Sequence, residues 1–259
     1  AVRPGPRPAV LGAHLEGPFI GGAPGAHRRE HIVPFDEVWL ARLPGGVRLM
    51  TLAPEVPGAP DAVRALTERG ITVSLGHSAA SYEETEQAAA AGATLVTHCF
   101  NGMAALDHRR PGVLGAALTD DRLAVSLIAD LVHVHPAALA LAFRAKGNGR
   151  VVLVTDSVAW EDPDLQALGI RFDGEAPRLP DGTLAGSALT MDRAIANVVR
   201  HAGVPLADAL RAASTTPADL VGAADRGRIA AGCRADLVAL DADLRVVGTW
   251  IAGEQVYGA

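Results

Sequence analysis

Six apolar runs of this 259-residue chain close on side chains that can bind metal ions or carry protons. Glu16, Glu55, His77, His98, Asp130 with His133, and Asp156 stand at or just past the ends of the runs 10–15, 47–53, 71–77, 94–100, 123–130 and 151–157. A polar side chain at the end of a buried run costs free energy unless it has a partner or a task. One such residue would mean little, but six consecutive run ends point to a shared site. Glutamate, histidine and aspartate are ligands of zinc and similar divalent ions. A catalytic metal centre needs about three protein ligands and an open position for water, and it lowers the pKa of that water to roughly 7. A carboxylate must then move a proton from the nucleophile to the leaving group. Asp156, on the last run, is the candidate. The sequence holds no nucleophile elbow, phosphate-cradling GxxxxGK or GxGxxG followed by a suitable helix. Metal-assisted hydrolysis is the chemistry these residues predict.

Simpler readings stand beside these. His77 alone reads as a core or turn histidine, and His98 at an equivalent run end tips both towards ligation. Glu16 alternatively caps or pairs locally, although Gly17-Pro18 stops the run abruptly. Asp61, Asp121 and Glu83–Glu84 read as solvated charges or caps. Cys99 reads as a small buried apolar residue. By residue type alone, Arg109-Arg110 is a solvated loop pair and His201 a solvent-facing helix residue.

The elements that must position these groups alternate. Nearly continuous apolar runs behave as parallel strands buried on both faces. Helices are expected between them at 61–70, at 81–92 and at 136–147. The second has Ser81 and Glu84 at capping-box spacing and Gly92 as a stop, and the third has Pro136 at its first position. This alternation predicts an α/β fold with a parallel sheet. In a barrel of such strands, their carboxyl ends converge on the face where active sites are built. Residues 1–9 read as an irregular Pro/Gly/Arg lead-in. Residues 163–186 read as a turn-rich excursion with a hairpin around Pro180-Asp181-Gly182. Two helices follow, Thr190 to His201 and Leu206 to Ala213. The tail from residue 226 carries short strands broken by glycine and aspartate, a small antiparallel element outside the main sheet.

Composition narrows the partners. Hydrophobic residues form 49% of the chain, enough for a full core. A formal net charge of -6 disfavours binding along a phosphate backbone, so no nucleic acid is expected. No apolar run reaches the ~18 residues of a membrane helix, and no signal segment opens the chain. Two distant cysteines imply no disulfide framework, which points to the cytoplasm.

At these residues the sequence resembles the N-acetylglucosamine-6-phosphate deacetylases of the amidohydrolase superfamily. The matching segments are HLEGPFI (14–20), TLAPE (51–55), LGHSAASYEE (75–84), THCFNGM (97–103), RRPGVLGAAL (109–118), ADLVHVHP (129–136), LVTDS (153–157) and GTLAGSALTMDRAI (182–195). The resemblance implies a TIM-barrel fold of the metal-dependent amidohydrolase type over 1–224 and part of a small β-sandwich over 225–259. It implies Glu16, His77 and His98 as ligands of one divalent metal ion, zinc first, with iron, manganese or cobalt as alternatives. It implies Asp156 as general acid and base. His27 would contact the sugar near the acetamide, and Asn101 and Gly102 the phosphate. Arg109 and His133 would bind substrate, the arginine lent by the second copy of a homodimer. Leu184, Ala185, Gly186 and Ser187 would close over the substrate. The products would be acetate and glucosamine 6-phosphate.

The sequence also departs from that pattern. The family's chain opens with half of a β-sandwich and two barrel strands, the first carrying a His-x-His pair. Here six barrel strands are expected rather than eight, with an amino-terminal portion absent or a natural reduced form. Such a barrel would leave two strand edges open. A second metal needing the His-x-His pair would have no site. Leu131 replaces a usual glycine, Arg110 a usual glutamate and Gly102 a usual alanine. Other readings are a different amidohydrolase, such as an N-acetylgalactosamine-6-phosphate deacetylase or a cyclic-amide hydrolase, or an inactive incomplete barrel serving assembly.

Overall fold

A computed structural model describes residues 7–258. Most of the expected 1–9 lead-in, residues 1–6, lies outside the described residues, as does residue 259 of the expected closing domain. Apolar runs dense in Val, Leu and Ile favour strands that are covered on both faces. Six of them form one parallel sheet: Ala13–Glu16 (β1), Val47–Leu52 (β2), Thr72–Leu75 (β3), Leu95–Val96 (β4), Ala124–Ile128 (β5) and Val151–Val154 (β6). Their spatial order is their chain order, β1 to β6, with β1 and β6 as open edges among the described residues. The result is a parallel half-barrel with the six strands expected.

The helices are Glu37–Ala41 (α1), Ala59–Glu68 (α2), Tyr82–Ala91 (α3), Gly112–Thr119 (α4), Pro136–Lys146 (α5), Pro163–Ala167 (α6), Met191–Ala202 (α7), Leu206–Ala213 (α8) and Thr215–Leu220 (α9); α2 to α5 pack on the outer face, whereas Leu220 of α9 meets Leu49, Leu95 and Val152. Met50, Leu52, Leu75 and Leu127 of the sheet bury against Val63 and Leu66 of α2 and Leu139 of α5. Strand alternation turns the neighbouring side chains, Leu49, Thr72, Leu95, Thr97 and Ser126, towards the inner face. Position α4 was not anticipated, because Gly112 and Gly115 weaken its propensity. Burial of Val113, Leu114, Ala116 and Ala117 overrides that weakness.

Two short strands, Arg171–Phe172 (β7) and Pro177–Arg178 (β8), form a hairpin one turn earlier than expected. The expected turn is present as well. Arg178 and Leu184 form an antiparallel bridge around it, and the Gly182 N–H donates to the Leu179 carbonyl at 2.9 Å. The tail forms the expected separate antiparallel sheet from Leu237–Leu240 (β9), Val246–Ile251 (β10) and Glu254–Gly258 (β11). No helix among the described residues is long and apolar enough to cross a membrane.

The capping box at the start of α3 has both its bonds. The Glu84 N–H donates to Ser81 Oγ at 3.2 Å, and the Ser81 N–H donates to Glu84 Oε2 at 2.8 Å. Ser81→Ala removes one of these caps on an exposed helix end. We expect a loss of about 1 kcal/mol of unfolding free energy, read from a denaturant titration. An unchanged midpoint would mean that the cap contributes nothing here.

Candidate metal centre

The strands end earlier than the apolar runs suggest, and this presents the polar residues. His77, His98 and Asp156 each lie two residues past a strand end, and each has left-handed backbone, with φ of 50°, 29° and 51°. That conformation costs a side-chain-bearing residue roughly 1–2 kcal/mol. Its repetition at three strand ends marks a site where geometry is held against local preference. At His98 the holding contact is visible: its N–H donates to the buried Ser126 Oγ at 2.7 Å. Leu131 also has φ of 70°, so the position where the resembled family usually has glycine is one that favours glycine.

Glu16, at the end of β1, meets two of these residues. Its Oε1 lies 3.1 Å from His77 Nε2 and 3.0 Å from His98 Nε2. The two Nε2 atoms are themselves 3.0 Å apart. His77 Nδ1 lies 3.1 Å from the Ala23 carbonyl, which only accepts, so Nδ1 is the donor. A neutral His77 therefore turns a bare Nε2 towards Glu16 and His98. His98 can offer one proton to this cluster of lone pairs. The remaining lone pairs repel unless a cation lies among them. Donors bound about 2.0–2.1 Å from one ion necessarily lie roughly 3 Å apart, so the spacing and the donor set both fit a divalent metal.

The electrostatics agree with a cluster that needs positive charge. Burial pushes the Glu16 carboxyl up, but the imidazoles of His27, His77 and His98 beside it outweigh that and hold the group far below the usual carboxylate range. Burial pulls the His98 imidazole down, but the bond and charge of Glu16 and the charge of Asp156 raise it overall. His98 Nδ1 is buried without a partner. Cys99, next in the chain, is pushed up to about 12 chiefly by burial, so its thiol stays protonated and inert.

His27 also approaches the glutamate. Its Nε2 lies 3.5 Å from Glu16 Oε2, and its ring meets His77 edge-on at 4.3 Å between centroids. Glu16, His27 and His77 thus form a second possible donor grouping, within 4.8 Å. By distance His98 is the nearer partner of Glu16. The sequence reading placed His27 on the sugar and did not anticipate this contact. No local signal carries it, because residues 17–27 form a loop with no periodic pattern.

Asp156 lines the same cavity of about 490 Å³ as Glu16 and His98. His14 also lines it, a residue the sequence reading gave no role, with Nε2 2.8 Å from Thr51 Oγ1. The segment Leu184–Ser187 runs beside Asp156. The Ser187 N–H donates to the Asp156 carbonyl at 2.7 Å, and Ala185 and Ser187 are buried. His133 Nδ1 lies 2.6 Å from Asp130 Oδ2, while the Val132 and His133 N–H groups donate to Asp130 Oδ1. Burial raises the Asp130 carboxyl, yet the bonds from His133 bring it below its ordinary value.

Gly102 packs on the His77 ring. A Cβ there would come 2.9 Å from His77 Nδ1, and φ is 60°. Its carbonyl accepts from the Ser78 N–H at 2.9 Å. Asn101 Nδ2 donates to the His98 carbonyl at 3.2 Å. Arg109 lies apart from these residues. It is exposed in a turn in which its N–H donates to Asp107 Oδ1.

A profile of the amidohydrolase family matches residues 7–256. The chain belongs to the amidohydrolase family. It is 42% identical over 264 residues to the N-acetylgalactosamine-6-phosphate deacetylase of Escherichia coli O157:H7, covering 97% of this chain and 70% of that protein. It is 41% identical to the N-acetylglucosamine-6-phosphate deacetylase of Vibrio furnissii, covering 96% of this chain and 65% of the relative. The crystal structure of N-acetylglucosamine-6-phosphate deacetylase from Thermotoga maritima superposes with a TM-score of 0.88 at 37% identity, over 96% of this chain and 70% of that one. This amidohydrolase thus spans about two thirds of the length of these relatives. By family it is a hydrolase acting on an amide.

Proposed function

We propose that this amidohydrolase removes the acetyl group of N-acetylglucosamine 6-phosphate, giving glucosamine 6-phosphate and acetate. The observation that carries the reading is the convergence of Glu16, His77 and His98 within 3.1 Å, with Glu16 and His98 lining a cavity that Asp156 also lines. The deacetylase relatives supply the substrate class. Glu16, His77 and His98 would hold one divalent ion, with zinc as the first choice because imidazole and carboxylate donors suit it. When bound, such an ion supplies Lewis acidity, polarising a carbonyl and lowering the pKa of a water to roughly 7.

The chain's own groups do the rest. Asp156 accepts the proton of the attacking water and delivers it to the departing amine nitrogen. Asp130 accepts from His133 Nδ1–H and fixes the ring, leaving Nε2 to face the acetamide oxygen. With a second proton on the ring, paired with the Asp130 carboxylate, Nε2–H donates to that oxygen and stabilises it as it gains negative charge. His27 contacts the sugar, Asn101 and Gly102 the phosphate end, and Leu184, Ala185, Gly186 and Ser187 lie over the substrate. The resemblance implies a homodimer in which the second copy lends the arginine, and Arg109 is exposed, as such donation requires. Its planar, permanently charged fork suits a phosphate. A reducing cytoplasm belongs to the same reading, supported by the free cysteines Cys99 and Cys233.

The Escherichia coli relative favours a second reading, in which the sugar is the galactosamine epimer. Acetate release from both phosphorylated sugars and from unphosphorylated N-acetylglucosamine separates these. Preference for the phosphorylated glucosamine substrate supports the first reading, and preference for its epimer supports the second. Arg109→Ala is expected to raise KM for the phosphorylated sugar about tenfold or more with little change in kcat, the cost of one lost bond between charged groups. An unchanged KM would remove Arg109 from the phosphate site.

A further inference from the structure

Glu55 is the one strand-end carboxylate that the proposed chemistry leaves unused. It follows β2 in the turn before α2 and is half-buried. Its carboxylate accepts three hydrogen bonds. Oε1 takes the Gly22 N–H at 2.9 Å and the Ala79 N–H at 2.7 Å, and Oε2 takes the Ser78 hydroxyl at 2.6 Å. These donors belong to two different loops. Gly22 lies in the loop that follows Glu16, and Ser78 and Ala79 directly follow His77.

The two loops are joined by further bonds at the same place. The Gly21 N–H donates to the His77 carbonyl at 2.9 Å. The Ala23 carbonyl, one residue beyond the clamped Gly22, accepts from His77 Nδ1 at 3.1 Å. Close approach of the backbone is required. A Cβ on Gly21 would fall 1.9 Å from Glu55 Oε1, and one on Gly22 would fall 2.7 Å from the Ala79 Cβ. Bonds from N–H or O–H donors to an ionised carboxylate are about twice as strong as neutral ones. Three on one carboxylate make a stiff link between the segments that carry Glu16 and His77.

We propose that Glu55 is a positioning residue that sets the tautomer and orientation of His77 through the Gly22–Ala23 segment. The inference rests on the metal reading given above. By holding Gly22 and Ala79, the carboxylate keeps the Ala23 carbonyl on His77 Nδ1. The proton then stays on Nδ1, and the Nε2 lone pair stays turned towards Glu16 and His98. Outer groups that orient a metal-binding histidine typically change metal affinity by about 10–100-fold when removed.

The test uses the full chain stripped of metal, with Glu55→Gln and Ser78→Ala variants. The glutamine keeps the shape but replaces one acceptor oxygen with a donor that faces donors. Ser78→Ala removes one of the three bonds and serves if the first variant does not fold. Cobalt(II) affinity is read from visible absorption, and the tautomer of His77 from nitrogen-15 spectra of the metal-free protein. We expect about 10–100-fold weaker cobalt binding in Glu55→Gln, a smaller loss in Ser78→Ala, and proton density moving from Nδ1 to Nε2 in both. Unchanged affinity and unchanged tautomer in a folded variant would overturn the inference. If the unsubstituted chain binds no cobalt, the metal reading fails, and the tautomer spectra still decide the role of Glu55.

Discussion

Asp156→Asn is expected to lower kcat for acetate release about a thousandfold while leaving the bound-metal content unchanged. The amide keeps the size and hydrogen-bonding reach of the carboxylate but cannot take the proton of the attacking water. General acid and base groups contribute typically 10²–10⁴-fold, and here one residue serves both proton transfers. Asp156 is held at its position by left-handed backbone and by the Ser187 N–H on its carbonyl, so the substitution leaves the loop in place. The measurement is steady-state kinetics beside metal analysis of the same sample. Turnover within about tenfold of the unsubstituted chain would place the proton carrier elsewhere, with His14 in the same cavity as the next group to examine.

Removal of the metal is expected to have the second large effect. Chelation should abolish acetate release, and added zinc should restore it. The physical basis is the lone-pair cluster of Glu16, His77 and His98, which a cation relieves. A ligand that binds only the folded chain stabilises it by about 2.7 kcal/mol at a concentration 100 times its Kd. The thermal transition should therefore fall on chelation and rise again on reloading. Equal turnover with and without chelator would end the metal reading. A lower transition temperature without loss of turnover would leave the ion a structural role only.

Much of this molecule could be read along the chain. The six apolar runs became six parallel strands because continuous burial on both faces leaves a run of Val, Leu and Ile few alternatives. The caps of α3 and α5 could be read because Ser81, Glu84 and Pro136 act within one helical turn. The trio Glu16, His77 and His98 could be nominated because polar residues at buried strand ends are costly, and because the surrounding motifs resemble a known family. Other elements resisted such reading. Helix α4 has glycines that argue against it and exists by virtue of its burial. Strand β4 is only two residues long, and left-handed backbone at His98 follows it, which the apolar run 94–100 does not signal.

The sequence by itself determined which side chains were available, the parallel order that sends strand ends to one face, and the apolar core behind them. Only the tertiary structure decided that the Ala23 carbonyl meets His77 Nδ1, that Gly102 packs on the His77 ring, and that Glu55 ties the loop after β1 to the loop after β3. The physical reason is range. Propensity, capping and alternation act within a few residues, whereas these contacts join loops whose separation is set by sheet register and by backbone held in conformations that local preference disfavours.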